Sequence, residues 1–315
     1  MPVTSFVLSA ADGAALSIYR WLPDVPPRAV VQIVHGLAEH AGRYARLAAA
    51  LNNAGYAVYA GDLRGHGRTA AGPADLGFLA ESGGWGKCLG DLRLLNWRIA
   101  SHHPGLPVFM LGHSMGSFLV QDFIGAYGDV LAGAILSGSD GKPSLLAAAG
   151  RGVARLEKLR LGPRGRSPII HALAFGAYNR PFRPARTPFD WLSRDQAEVD
   201  RYVSDPLCGF VPTVQLWIDL LDALARIARP SHLRRVPKSL PIYVFAGACD
   251  PVSDNTKGLE KLLAAYRGAG LGQVTHRFYP GARHEPCNET NRDEVTRDLI
   301  AWLDAVITRS PAAGR

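Results

Sequence analysis

Val108-Phe109-Met110-Leu111-Gly112-His113-Ser114-Met115-Gly116-Ser117-Phe118-Leu119-Val120 is the stretch from which the rest of the chain can be read. Four apolar residues suited to a strand run into a glycine-flanked serine, and a run with helical spacing follows directly. A G-x-S-x-G match alone carries little weight. Between a strand and a helix it predicts a strained turn at the sheet edge that presents the serine hydroxyl as a nucleophile. Gly112 and Gly116 fit that turn because side chains there would run into neighbouring backbone. A serine that only caps the following helix is the plainer alternative.

Outward from this turn, strand and helix patterns alternate. Residues 6–10 and 16–21 read as a hairpin around Asp12-Gly13, and the largely apolar runs 29–34 and 56–60 suit strands buried on both faces. Helical spacing covers 43–53, stopping near Gly55, then 85–102 and 117–127, and a further strand is expected at 132–136. The alternation breaks after Ser139 and resumes with strand 242–245, helix 257–267, strand 275–279 and helix 289–307. Eight strands interleaved with helices predict an α/β fold, a mostly parallel sheet with helices on both faces. The break of about a hundred residues is too long for an ordinary loop. It is rich in Pro, Arg and Ala, with helical patches at 145–159 and 214–227, and reads as an inserted helical cap. The expected division is core 1–139, cap 140–238 and core 239–315.

Of the 315 residues, 47% are hydrophobic, enough to bury a full core and to exclude a disordered or fibrous chain. The longest stretch without a charged residue, 99–121, contains Pro104 and Pro107 and does not suit a membrane span. The first residues lack the basic and apolar regions of a signal peptide. Cys88, Cys208, Cys249 and Cys287 are scattered, with neither a CxxC pair nor zinc-ligand spacing. Reduced thiols, a cytoplasmic location and no metal are therefore expected. The net charge of +8 is uneven: residues 141–240 hold 17 Lys and Arg against 8 Asp and Glu, a local excess of +9. Two readings stand side by side. One is a solvated, arginine-rich insertion; the other is peripheral contact with anionic headgroups, where each basic residue gains ~1 kcal/mol. Nucleic acid is not expected, because the arginines are interspersed with Pro and apolar residues and no recognition module is present. Oligomeric state is not readable.

A serine nucleophile needs a base, and the base an orienting carboxylate, in the chain order Ser, Asp or Glu, His. Asp250 follows the strand 242–245 and is preferred as the acid; Asp140, after the strand 132–136, also fits the order. Among ten histidines, His284 follows the last strand, precedes the last helix and comes after the acid, which selects it as the base. The oxyanion needs backbone N–H donors worth ~3–4 kcal/mol each. Met115, after the nucleophile, is one; Leu37, in the loop His35-Gly36-Leu37-Ala38 after the first buried strand, is the other. Asp62-Leu63-Arg64-Gly65-His66-Gly67 reads as a charged turn bracing that loop.

These segments, with His35-Gly36…Glu39-His40…Arg43-Tyr44 and Asp205-Pro206-Leu207-Cys208, resemble the α/β-hydrolase superfamily, and within it the monoacylglycerol lipase and lysophospholipase group. The resemblance spans nearly the whole chain. It implies an α/β-hydrolase fold, Ser114, Asp250 and His284 as triad, Leu37 and Met115 as oxyanion donors, and a mobile cap over an acyl tunnel. It also implies that Glu39 and Arg43 lie near the pocket for the alcohol of a monoglyceride. Ala38 stands where the family often has glycine, and Cys287 where its members can carry a second histidine. The expectation is a cofactor-free serine hydrolase of lipid-like carboxylic esters. A lysophospholipase or short-chain carboxylesterase is the nearest alternative, and an aminopeptidase or a hydrolase-fold ligand receptor is more remote. Leu145, Leu146, Phe175, Trp191, Leu216 and Trp217 are expected to line the tunnel or to form the cap's own core.

Overall fold

The computed structural model describes residues 3–141 and 145–309. Its strands are β1 Thr4–Ser9, β2 Ala15–Trp21, β3 Ala29–Val34, β4 Tyr56–Gly61, β5 Val108–His113, β6 Gly133–Ser137, β7 Ile242–Gly247 and β8 Val274–Tyr279. They form one sheet in the order β1-β2-β4-β3-β5-β6-β7-β8. The β1–β2 hairpin is antiparallel, turning through Gly13 at φ 83°, and β2 joins β4 antiparallel. Every other pairing is parallel.

Before the insertion come α1 Ala45–Asn53, α2 Gly84–His102 and α3 Met115–Tyr127. The insertion between β6 and β7 carries α4 Leu145–Leu161, α5 Pro168–Phe175, α6 Gln196–Ser204, α7 Val214–Ile227 and α8 Pro230–Leu233. After β7 come α9 Lys257–Gly268 and α10 Arg292–Arg309. The two-residue period of the strands divides the core between two faces. On β3, Val30 and Val34 join α2, α3 and α9, whereas Val31 and Ile33 join α1 and α10.

Three of the insertion helices, α5, α6 and α8, carry too few turns to show a period in the sequence. Local chemistry starts them instead: Pro168 and Pro230 pre-set the first helical φ, and the Asp195 carboxylate accepts the N–H groups of Ala197 and Glu198. The α7 stripe of Val214, Leu216, Trp217, Leu220, Ala223 and Ile227 merges with the sheet's own core against α3. Fully burying each Leu or Ile there contributes ~1.5–3 kcal/mol. The insertion is thus anchored along α7. Among the described residues no helix is long and apolar enough to cross a membrane.

The β5–α3 turn is possible only because two side chains are missing. A Cβ on Gly112 would lie 2.4 Å from the Gly116 carbonyl oxygen, and one on Gly116 would lie 2.2 Å from the Val34 carbonyl oxygen. Both obstacles are backbone, so neither can swing aside. Gly116→Ala is therefore expected to cost at least ~1–3 kcal/mol of stability. A denaturant midpoint equal to wild type would show that the approach is not a constraint.

Candidate active site

Ser114 sits at φ 51°, ψ −122°, a backbone conformation that costs a non-glycine residue ~1–3 kcal/mol. Four bonds hold it there: its N–H donates to Ser137 O (2.9 Å), and its carbonyl accepts from Ser117 N–H (2.8 Å), Ser117 Oγ–H (2.6 Å) and Phe118 N–H (3.3 Å). The half-buried side chain stands at the first turn of α3, where backbone N–H groups lack intrahelical partners.

Asp250, just past β7, and His284, in the loop after β8, are both buried and paired. His284 Nδ1 lies 3.0 and 2.9 Å from the two Asp250 carboxylate oxygens. Burial disfavours the His284 imidazolium, but the Asp250 carboxylate and its hydrogen bond, with Glu285 and Glu39, outweigh it and hold the pKa above the ordinary histidine value. Asp140, the rival acid, is turned away: its Oδ1 takes the Gly141 N–H at 2.8 Å and faces Gly258. Burial raises its carboxyl to about 6. Ser114 Oγ makes no hydrogen bond to His284 in this structure; contacts of this kind often tighten only when substrate binds. His284 instead lies against His113, the residue before Ser114, with ring centroids 4.8 Å apart. Burial pushes His113 down to about 4, so it adds no charge beside the base at neutral pH. Gly138 makes room for both rings, since a Cβ there would lie 2.9 Å from His113 Cε1 and 3.1 Å from His284 Cε1. The sequence reading missed this glycine, which follows β6 without a motif.

The loop after β3 is held from beneath. His35 Nδ1–H donates to Gly36 O (2.8 Å) while Nε2 accepts the Leu63 N–H (2.9 Å), a pattern that only the neutral ring satisfies. Burial drives its pKa down to about 3, consistent with that tautomer. Asp62 accepts the N–H groups of Ala41 (2.8 Å) and Arg68 (2.7 Å), so the charged turn braces this loop as expected. Ala38 adopts φ 56°, the left-handed region that explains the family's glycine, and its carbonyl accepts Tyr202 Oη–H and Gly209 N–H, each at 2.9 Å. Neither Leu37 N–H nor Met115 N–H donates a hydrogen bond to any described residue.

Glu39 and Arg43, expected near the pocket for the alcohol, are tied into a hydrogen-bond network of their own. Glu39 accepts the Gly36 N–H (2.5 Å), Tyr44 Oη–H (2.9 Å) and Arg43 Nη1–H (2.8 Å). Arg43 then grips Glu285 through two bonds of 2.7 and 2.8 Å and stacks over the Tyr202 ring at 4.9 Å. Burial would raise the Glu285 carboxyl, but Arg43 holds it at about 2. Their polar atoms are turned inward, tying the loop after β3 to the loop carrying His284. The sequence signal for Glu285 was only its adjacency to the base. Cys287 is buried, its thiol raised to about 12 by burial.

The insertion residues divide. Leu216 and Trp217 pack in the main core, while Trp191, backed by Phe175 and Tyr178, lies against His284. The side chains of Leu145 and Leu146 lie outside the described residues. His40, Asp205 and Cys208 bring potential ligand atoms within 4.8 Å of one another. However, His40 Nδ1 already accepts the Gly42 N–H (3.2 Å), so Nε2 carries the proton that Asp205 accepts at 2.9 Å. That leaves no imidazole lone pair for a metal.

A family model described as serine aminopeptidase, S33 (Hydrolase_4) matches residues 25–291. The chain is 31% identical over 288 residues to a monoacylglycerol lipase of Mycolicibacterium smegmatis, covering 90% of each chain. It is 30% identical to the human monoglyceride lipase, covering 89% of this chain and 87% of that one. A solved carboxyl esterase from Bacillus coagulans, in complex with glycerol, superposes with a TM-score of 0.90 at 29% identity, covering 98% of this chain and 99% of that one. The shared sheet order, the glycine-flanked serine turn and these matches together show that the chain belongs to the Hydrolase_4 family of α/β-hydrolases.

Proposed function

We propose that this chain is a serine hydrolase that cleaves lipid-like carboxylic esters of the monoacylglycerol type through an acyl-enzyme. The observation that carries the reading is His284 bound by both oxygens of a buried Asp250 and packed on His113, the residue before a serine held on a strained turn. Relatives named as monoacylglycerol lipases along nearly the whole chain support the ester class. Ser114 Oγ attacks the ester carbonyl carbon as His284 Nε2 takes its proton. Asp250 fixes the tautomer and stabilises the imidazolium. The Leu37 and Met115 N–H groups receive the oxyanion. Collapse breaks the C–O bond, and His284 returns the proton to the departing alcohol. Water then repeats the sequence on the acyl-enzyme. The brace through Glu39, Arg43 and Glu285 keeps the donor loop and the base loop at a fixed separation.

The insertion supports access from a lipid surface. Leu159 is 86% exposed and Leu156 68% exposed on α4, and Ile169 and Leu173 are exposed on α5. Arg155, Lys158 and Arg160 flank the two leucines. Apolar side chains beside cations suit insertion into an anionic interface. An aminopeptidase is the weaker reading, since Glu39 and Glu285 are already paired with Arg43, and Asp250 with His284, rather than free to hold a substrate amine.

Ser114→Ala is expected to abolish both ester hydrolysis and labelling by a fluorophosphonate probe; persistent labelling overturns the nucleophile. Because His284 must be neutral to act and its pKa is raised, kcat/KM should fall as pH drops through a value above about 6.5. A profile flat between about pH 5 and 8 removes His284 as the base. Co-sedimentation should favour vesicles containing anionic lipid over purely zwitterionic ones and weaken with salt; equal binding to both removes the electrostatic part of the docking proposal.

A further inference from the structure

We infer that Trp191, contributed by the insertion, acts as a positioning residue whose indole face stabilises the imidazolium of His284 during acyl transfer. The inference rests on the triad reading above. The two rings lie with centroids 5.0 Å apart and planes 36° from parallel, and both side chains are buried.

The contact is built rather than incidental. The Trp191 carbonyl accepts the His284 N–H (3.3 Å), and the Leu192 carbonyl accepts the Glu285 N–H (2.8 Å). Ser193 Oγ–H donates to Asn288 O (2.8 Å), and Arg194 Nε–H donates to Glu289 at 2.8 Å. The Arg283 N–H reaches the same carboxylate at 2.8 Å. Four of these bonds join residues 191–194 to the loop carrying His284, and the fifth ties that loop to itself. Trp191 N–H is itself fixed to Asn179 Oδ1 (2.9 Å), and the Tyr178 ring packs on the indole at 5.0 Å.

The chemistry follows from where charge appears. When Ser114 gives up its proton, a neutral buried ring becomes a cation. Asp250 answers that charge at the Nδ1 edge, in the plane of the imidazole. Glu285 and Glu39 add to the field, His113 is neutral, and Asp140 and Tyr178 feel the Asp250 carboxylate. None of these carboxylates is the group stacked on the His284 ring. An indole face carries negative quadrupole density and attracts a cation within ~6 Å of its centroid, most strongly when water is excluded. The attraction exists only once the proton has moved, so it favours the transition state over the ground state.

The sign is therefore definite. Losing the indole makes the imidazolium harder to form, so the acid limb moves to lower pH while the plateau falls. With a short, water-soluble p-nitrophenyl ester, Trp191→Leu is expected to lower the plateau kcat by about tenfold and shift the limb down by about one pH unit, with KM little changed. Trp191→Phe, which keeps an aromatic face, should recover part of both. A Trp191→Leu variant that melts early but keeps the wild-type limb means that Trp191 only fills space, and the inference falls. Should the leucine variant not fold, Trp191→Phe decides alone, because a limb and plateau both at the wild-type values overturn the proposal. Ser114→Ala measured alongside separates the two readings: residual turnover there sinks the triad, whereas a dead Ser114→Ala with an unmoved Trp191→Leu limb sinks only this inference.

Discussion

Gly116 passes so close to β3 that nothing larger than hydrogen fits between its Cα and the carbonyls of Val34 and His35. This contact brings the start of α3 against the strand that leads into the donor loop. The start of α3 and the loop after β3 are therefore neighbours, although 78 positions of sequence separate Leu37 from Met115. It also forces Ser114 into a left-handed turn whose strain is offset by the Ser137 and Ser117 hydrogen bonds. Shift α3 outward by one methyl group and Ser114 and Met115 move together away from the loop after β3.

A second constraint acts across the mouth of the site. Glu39, Arg43 and Glu285 bury two carboxylates around one guanidinium, an arrangement costly to desolvate and tolerable only because every partner is present. Glu39 holds the loop after β3 through the Gly36 N–H, and Glu285 follows the base directly, so the network sets their spacing. Tyr202 and Gly209, both from the insertion, reach the same loop through the Ala38 carbonyl. The insertion thus supports the donor loop from one side and, through residues 191–194, the base loop from the other. Its α7 is rooted in the main core. Any opening of the insertion has to come from segments not tied down in these ways.

Much of this was legible in the chain itself. Strands buried on both faces are apolar at nearly every position, so β3, β4, β5 and β7 announced themselves, and the long periodic helices matched within a few residues. The 3-10 turn at Ala41–Tyr44 took the first two residues of the helix expected over 43–53, and α10 starts at Arg292 rather than at 289, after the 3-10 turn Pro286–Asn288, because the loops there are held by side chains instead of a helical ladder. The short helices α5, α6 and α8 left no periodic trace.

The sequence by itself determined the sheet, the serine turn and the order of Ser114, Asp250 and His284 along the chain, because each depends on local residue type and on spacing along the polymer. Only the tertiary structure decided that Asp250 rather than Asp140 meets His284, that Glu39 and Arg43 face inward to Glu285, and that Trp191 covers the base. Those outcomes depend on which buried groups satisfy one another's charge and hydrogen bonds across distances of dozens to hundreds of residues, and no local pattern encodes such a pairing.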